Sequence, residues 1–192
     1  MINILGRDIP NALDELTIEQ FETITEINNN QELDPIDKHL KTFEYLGIPE
    51  REFWDYDVAD FIGMVKEFNN IKQVEYPTID TLEIDGYTYK AEMKLTVRDT
   101  KMIEKIALRK DKGYVSEMLA VMFKREDLSN TEHYTDAHIK HKAKLFKQLS
   151  ADISVPYLLF ITNKINKQVE AQATKELESS DSGAVPGVQQ DW

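Results

Sequence analysis

Apolar and polar residues alternate over two short stretches of this chain, and each stretch ends at a glycine. Ile2, Ile4 and Leu5 precede Gly6, and Leu82 and Ile84 precede Gly86. A linker then leads to a Leu-Thr-Ile or Leu-Thr-Val triplet, Leu16-Thr17-Ile18 and Leu95-Thr96-Val97. From each triplet onward the apolar spacing lengthens to three and four. Spacing of two marks a strand and spacing near 3.6 a helix. Both places therefore predict a strand, a linker and a helix in that order.

Helix ends are marked in the sequence. Thr17 with Gln20 fits the capping box, in which each side chain serves the other's backbone N–H. It opens a helix with an apolar stripe of Ile18, Phe21, Ile24 and Ile27, which stops at Asn28-Asn29-Asn30. Glu19 and Glu22 lie where the helix dipole favours negative charge. Asp34 before Pro35 opens a second helix with Ile36, Leu40, Phe43 and Leu46 on its stripe. Gly47 and Pro49 close it. Val58, Phe61, Ile62, Val65 and Phe68 predict a third over 56–69, capped by Asp57 or Asp55.

Residues 71–80, with Pro77, form a connector. Residues 81–91 then read as a hairpin about Asp85-Gly86, a pair suited to the positive φ angles of a type I′ turn. Two strands alone are marginal in water, so the strand at 2–5 is expected to add the third and join the two parts of the chain. Thr96, with Asp99 as a weaker partner, caps a helix carrying Val97, Met102, Ile103 and Ile106. Gly113 breaks it. Residues 114–124 predict a helix with Val115, Met118, Leu119, Met122 and Phe123 in the core. A polar loop over 125–134 follows, then a helix over 135–148 with Ile139, Ala143, Leu145 and Phe146. A last helix is expected over 155–177.

The expected fold is α+β and predominantly α-helical, its helical segments joined by a small antiparallel β-sheet. Three parts are expected: an acidic strand-plus-helices segment (1–75), a hairpin followed by a basic helical region (76–177), and an acidic tail (178–192). The tail is made of Ser, Asp, Gly, Pro and Gln and cannot bury enough to offset its ordering entropy, so it is expected to be disordered.

Charge changes the picture more than composition does. The 192 residues carry a net charge of -12. Residues 1–95 hold 8 basic and 21 acidic residues, whereas 96–175 hold 15 and 10. The first part repels a phosphate backbone, and the second suits an anionic partner or the acidic part of another copy. No apolar run reaches the roughly 18 residues of a membrane span, and the first residues lack the basic and apolar segments of a secretory signal, so secretion by one is not expected. The absence of cysteine excludes disulfides, thiolate metal sites and cysteine nucleophiles.

Candidate chemistry is sparse. His133, His138 and His141, with Glu132 and Asp136, suit a transition metal in outline but match no ligand motif, and Lys140, Lys142 and Lys144 disfavour a cation. The acidic group Asp55, Asp57 and Asp60 is what a chain this acidic produces by chance. No phosphate-cradling glycine motif or nucleophile elbow is present. Catalytic residues and cofactors are therefore not expected. Lys101, Lys105, Arg109, Lys110 and Lys112 form one basic stretch and Lys140, Lys142, Lys144 and Lys147 another. Neither is interleaved with exposed aromatics, so nucleic acid is not expected as a partner. The candidate interface residues are Phe53, Trp54 and Tyr56 as an aromatic cluster, Lys101, Lys105 and Arg109 as a basic one, and Trp192 as a docking anchor on the acidic tail.

Four strings carry a likeness to known proteins. They are the opening Met1-to-Pro10 strand, Leu16-Thr17-Ile18-Glu19-Gln20-Phe21, Tyr45-Leu46-Gly47-Ile48-Pro49 and Phe123-Lys124-Arg125-Glu126-Asp127-Leu128. In these, over most of residues 1–165, the chain resembles small acidic proteins from the structural-gene modules of tailed bacteriophages, including crAss-like phages. The resemblance implies a non-enzymatic virion structural or packaged cargo protein, made in the host cytoplasm and located in the phage particle. Its partners would be other phage structural proteins and further copies of itself. A tail-assembly chaperone is the alternative, and a metal-dependent hydrolase using the His133–His141 region the second alternative.

Overall fold

Both glycine-ended stretches turn back on themselves as hairpins. In the first, β1 (Ile2–Ile4) pairs antiparallel with β2 (Arg7–Ile9), with Ile2 opposite Ile9 and Ile4 opposite Arg7. In the second, β3 (Thr81–Ile84) pairs with β4 (Tyr87–Ala91), with Leu82 opposite Tyr89 and Ile84 opposite Tyr87. The two turns share a geometry. Leu5 and Gly6 have φ of 53° and 76°, and Asp85 and Gly86 have 51° and 77°. Two successive positive φ angles match the right-handed twist of the strands they join. The computed structural model describes residues 1–70, 76, 78–109, 113–128, 135–164 and 166.

The expected third strand is a correction. Residues 2–4 pair with 7–9 in a sheet of their own, and the hairpin at 81–91 takes its third strand from β5 (Phe123–Arg125). Leu5 hid the first turn, because a bulky side chain is a poor occupant of the left-handed region. Its side chain packs on the adjacent core, which offsets that strain. Phe123 and Lys124, expected to end a helix, belong instead to β5.

The remaining elements are α1 (Ile18–Asn29), α2 (Pro35–Tyr45), α3 (Val58–Phe68), α4 (Val97–Arg109), α5 (Tyr114–Met122), α6 (Asp136–Phe146) and α7 (154–164), with short 3-10 turns at Leu13–Glu15, Glu50–Phe53 and Ala151–Ile153. The fold is thus predominantly helical α+β with small antiparallel sheets. Thr17, Asp34, Asp57 and Thr135 cap their helices, and Thr17 with Gln20 closes the full box. Thr96 and Asp99 do the same for α4: the Thr96 N–H donates to Asp99 at 2.9 Å and the Asp99 N–H to the Thr96 hydroxyl at 3.2 Å. The chain divides into a unit over Met1–Pro156 and one over Tyr157–Trp192, which begins inside α7. The connector residues 71–75 and 77, the loop at 129–134, the end of the last expected helix and the whole tail with Trp192 lie outside the described residues.

Within Met1–Pro156 the apolar residues collect in two places. One cluster holds Ile4, Ile9, Phe43, Ile48, Phe53, Phe61 and Phe68. The Phe43 ring sits at its centre, 5.2 Å from both Phe53 and Phe68 and 6.2 Å from Phe61. Such offset and edge-on pairs add about 0.5–1.5 kcal/mol each beyond burial. The other gathers around α5, which is buried from Val115 to Met122 and packs against α1, α4 and α6. A helix enclosed on all sides is largely apolar, and its two buried polar residues, Ser116 and Glu117, are partnered by Glu22 and Arg109. Tyr89 and Phe123 from the sheet each bring a ring within 5.7 Å of Phe146 on α6.

A short ladder ties the start of α1 to the end of α6. The Ile18 N–H donates to the Leu149 carbonyl at 2.8 Å, the Glu19 N–H to Lys147 at 3.0 Å, and the Ala151 N–H to Leu16 at 2.8 Å. The unpaired N–H groups at one helix start thereby meet carbonyls just past another helix end. Residues 16–19 therefore belong with the α5 core, although the sequence places them in the acidic first segment.

Candidate interaction surfaces

The aromatic cluster of 53–56 splits between the interior and the surface. Phe53 ends the 3-10 turn and points into the Phe43 cluster, so it is a core residue. Trp54 is 72% exposed, and its indole N–H donates to Glu50 at 3.5 Å. Tyr56 is exposed beside it. The apolar row continues onto α3, where Val58 (61% exposed) and Ile62 lie one turn apart. The spacing predicts both in the core. They are exposed because Phe61 and Phe68 take the α3 face turned to Phe43, and Val58 and Ile62 fall roughly 60–120° round the helix from them. Asp55, Asp57 and Asp60 surround this row with negative charge, and no Lys or Arg lies within 54–62. Asp57 is engaged in capping: its carboxylate accepts from the Asp60 N–H at 2.9 Å. Asp55, Asp57 and Asp60 are all exposed.

The basic cluster lies along α4, and its members differ. The Lys105 ammonium pairs with Asp136 of α6 at 2.7 Å, and this hydrogen bond holds the Asp136 carboxyl below its usual range. The Arg109 guanidinium pairs with Glu117 of α5. Lys101 and Arg98 are exposed and have no ion pair among the described residues. Val97 is 77% exposed and Leu108 is 83% exposed. Residues 97, 101, 105 and 108 fall within roughly 80° of one helical face, over a length of about 17 Å. A shallow groove runs along it, lined by Lys101, Glu104, Lys105, Leu108 and Arg109. The sequence carries a signal for this stripe: Leu108 breaks the buried Ile103–Ile106 row and sits between lysine and arginine.

Much of the remaining positive charge is engaged within the molecule. Lys124 donates to the buried Asp99 at 3.0 Å. Burial raises the Asp99 carboxyl, but the Thr96 N–H and hydroxyl and the Lys124 ammonium outweigh it and hold the group below its usual range. Arg125 lies 3.7 Å over the Tyr87 ring and grips Asp127 with two hydrogen bonds of 2.9 and 2.5 Å. Lys142 is buried against the Tyr89 ring. Lys140 and Lys144 remain on the exposed face of α6.

Glu22 serves a different helix from the one its position predicts. Its place near the start of α1 suits the dipole of that helix. Instead it is only 2% exposed and faces the start of α5, accepting from the Ser116 N–H at 2.7 Å. Its Oε2 is buried with no hydrogen-bond partner among the described residues. Burial raises its carboxyl above the ordinary range, against the opposing pull of Ser116 and Lys147.

His138 and His141 lie exposed on α6, and His133 and Glu132 lie outside the described residues. Among the described residues no three His, Asp or Glu side chains are grouped to hold a metal, and no helix is long and apolar enough to cross a membrane. Comparison with known proteins finds no similar family, no similar curated protein and no similar solved structure.

Proposed function

We propose that this chain is a non-enzymatic component of a tailed-phage particle, structural or packaged as cargo, and that it works by contact with other proteins. The observation that carries the contact mode is the placement of exposed apolar side chains inside charged surroundings of opposite sign. Trp54, Tyr56, Val58 and Ile62 lie among aspartates, and Val97 and Leu108 lie among lysine and arginine. Apolar anchors with a charged rim are the anatomy of a protein interface, in which burial gives affinity and charge gives orientation. The phage assignment rests on the resemblance of the strings at 1–10, 16–21, 45–49 and 123–128. Further copies of the chain and other particle proteins are the partners this reading assigns.

Mass spectrometry of particles purified from an infected culture that produces this chain tests the assignment. Stoichiometric recovery in washed particles supports it. Abundance in the infected cell with absence from the particle contradicts it and favours a tail-assembly chaperone.

A further inference from the structure

The two exposed rows are complementary to each other as well as to unknown partners. Residues 54–62 present Trp54, Tyr56, Val58 and Ile62 with three aspartates and no basic residue. The α4 stripe presents Val97 and Leu108 at its ends with Lys101 and Lys105 between them. Of the carboxylates near it, Asp99 is buried against Lys124 and Glu104 is half-buried, whereas Asp136 of α6 pairs with Lys105, so that among the described residues Lys101 and the neighbouring Arg98 supply the unanswered positive charge. The 54–62 surface repels a second copy of itself, and Lys101 with Arg98 gives the α4 stripe the opposite sign. Each attracts the other.

We propose that the occupant of the acidic 54–62 surface is the α4 stripe of a second copy of this chain. This refines the preceding proposal and rests on it: it names one pair of surfaces through which copies meet. Unlike surfaces meet head to tail, so a bound pair leaves one surface of each kind free. Such a contact repeats until it closes into a ring or extends as a filament. Each row is a handful of side chains, beside the roughly 20–30 residues a side of a stable complex. A single contact is therefore weak, and the array holds through repetition.

The chain contains no cysteine, which makes a cross-linking test direct. Val58→Cys and Leu108→Cys are made separately in the full chain, at positions exposed enough to leave the core intact. Each variant is oxidised alone and in an equal mixture at low salt, with copper-phenanthroline as oxidant. The expected result is a disulfide-linked dimer in the mixture, at least tenfold above either variant alone, and its loss when Lys101→Glu is added to the Leu108→Cys chain. Dimers formed equally well by each variant alone overturn the proposal, because they mean like surfaces meet. No dimer in any tube also overturns it. In either case particle mass spectrometry still decides the wider function, so the two can fail separately.

Discussion

Glu22 places a carboxyl where the packing of α1 on α5 leaves no water to solvate it. The group is held there by one hydrogen bond from the Ser116 N–H at the positive end of α5. Its carboxyl is raised, so the folded chain holds the proton more tightly than the unfolded chain does. Stability from this site is therefore greatest in acid and falls as pH rises from the reference value of 4.5 through the raised folded value. Glu22→Gln keeps an acceptor for Ser116 and removes the buried charge. Thermal melts should show it more stable than the parent at pH 7 and equal to it near pH 4. Glu22→Ala leaves the Ser116 N–H buried without its acceptor, which should cost about 1–3 kcal/mol in urea denaturation. Phe43 is the other residue on which much depends: Phe43→Ala opens a hole between three rings and should cost about 3–5 kcal/mol.

Among elements, the hairpins and helix starts carry the most legible information. Thr17, Asp34, Asp57, Thr96 and the Asp85-Gly86 turn are all readable, because each acts on backbone within a few residues of itself. Gly86 has φ of 77°, and Gly86→Val forces a branched side chain into that conformation. The expected loss is about 1–3 kcal/mol in urea denaturation. Thr96→Ala should lose about 1 kcal/mol, the usual worth of a cap. What the sequence withholds depends on distant partners. Phe123-Lys124-Arg125 continues a helical pattern, and only pairing with Tyr89–Ala91 makes it a strand. Arg7-Asp8-Ile9 has a single apolar residue and reads as a strand only once Ile9 is opposite Ile2. Val58 and Ile62 have the spacing of core residues, whereas Val97 lies roughly 180° round its helix from Ile106. Their helices put other residues on the buried face, and periodicity alone cannot say which of two apolar arcs wins.

On the scale of the whole molecule, charge is the property that links structure to the proposed role. Much of the basic excess of 96–175 is answered within the chain, through Asp136, Glu117, Asp99, Asp127 and Glu19. Among the described residues Arg98, Lys101, Lys140 and Lys144 have no ion pair. The acidic surface at 54–62 has no internal cation within its own stretch. Long-range attraction between such surfaces is strong only while salt does not screen it: the screening length is about 30 Å at 0.01 M and about 3 Å at 1 M. Sedimentation velocity of the full chain at these two salt concentrations is the most direct test that it acts by joining oppositely charged surfaces. Concentration-dependent oligomers in low salt that dissociate to monomer in high salt are the predicted result. A monomer in both, at every protein concentration, would contradict it.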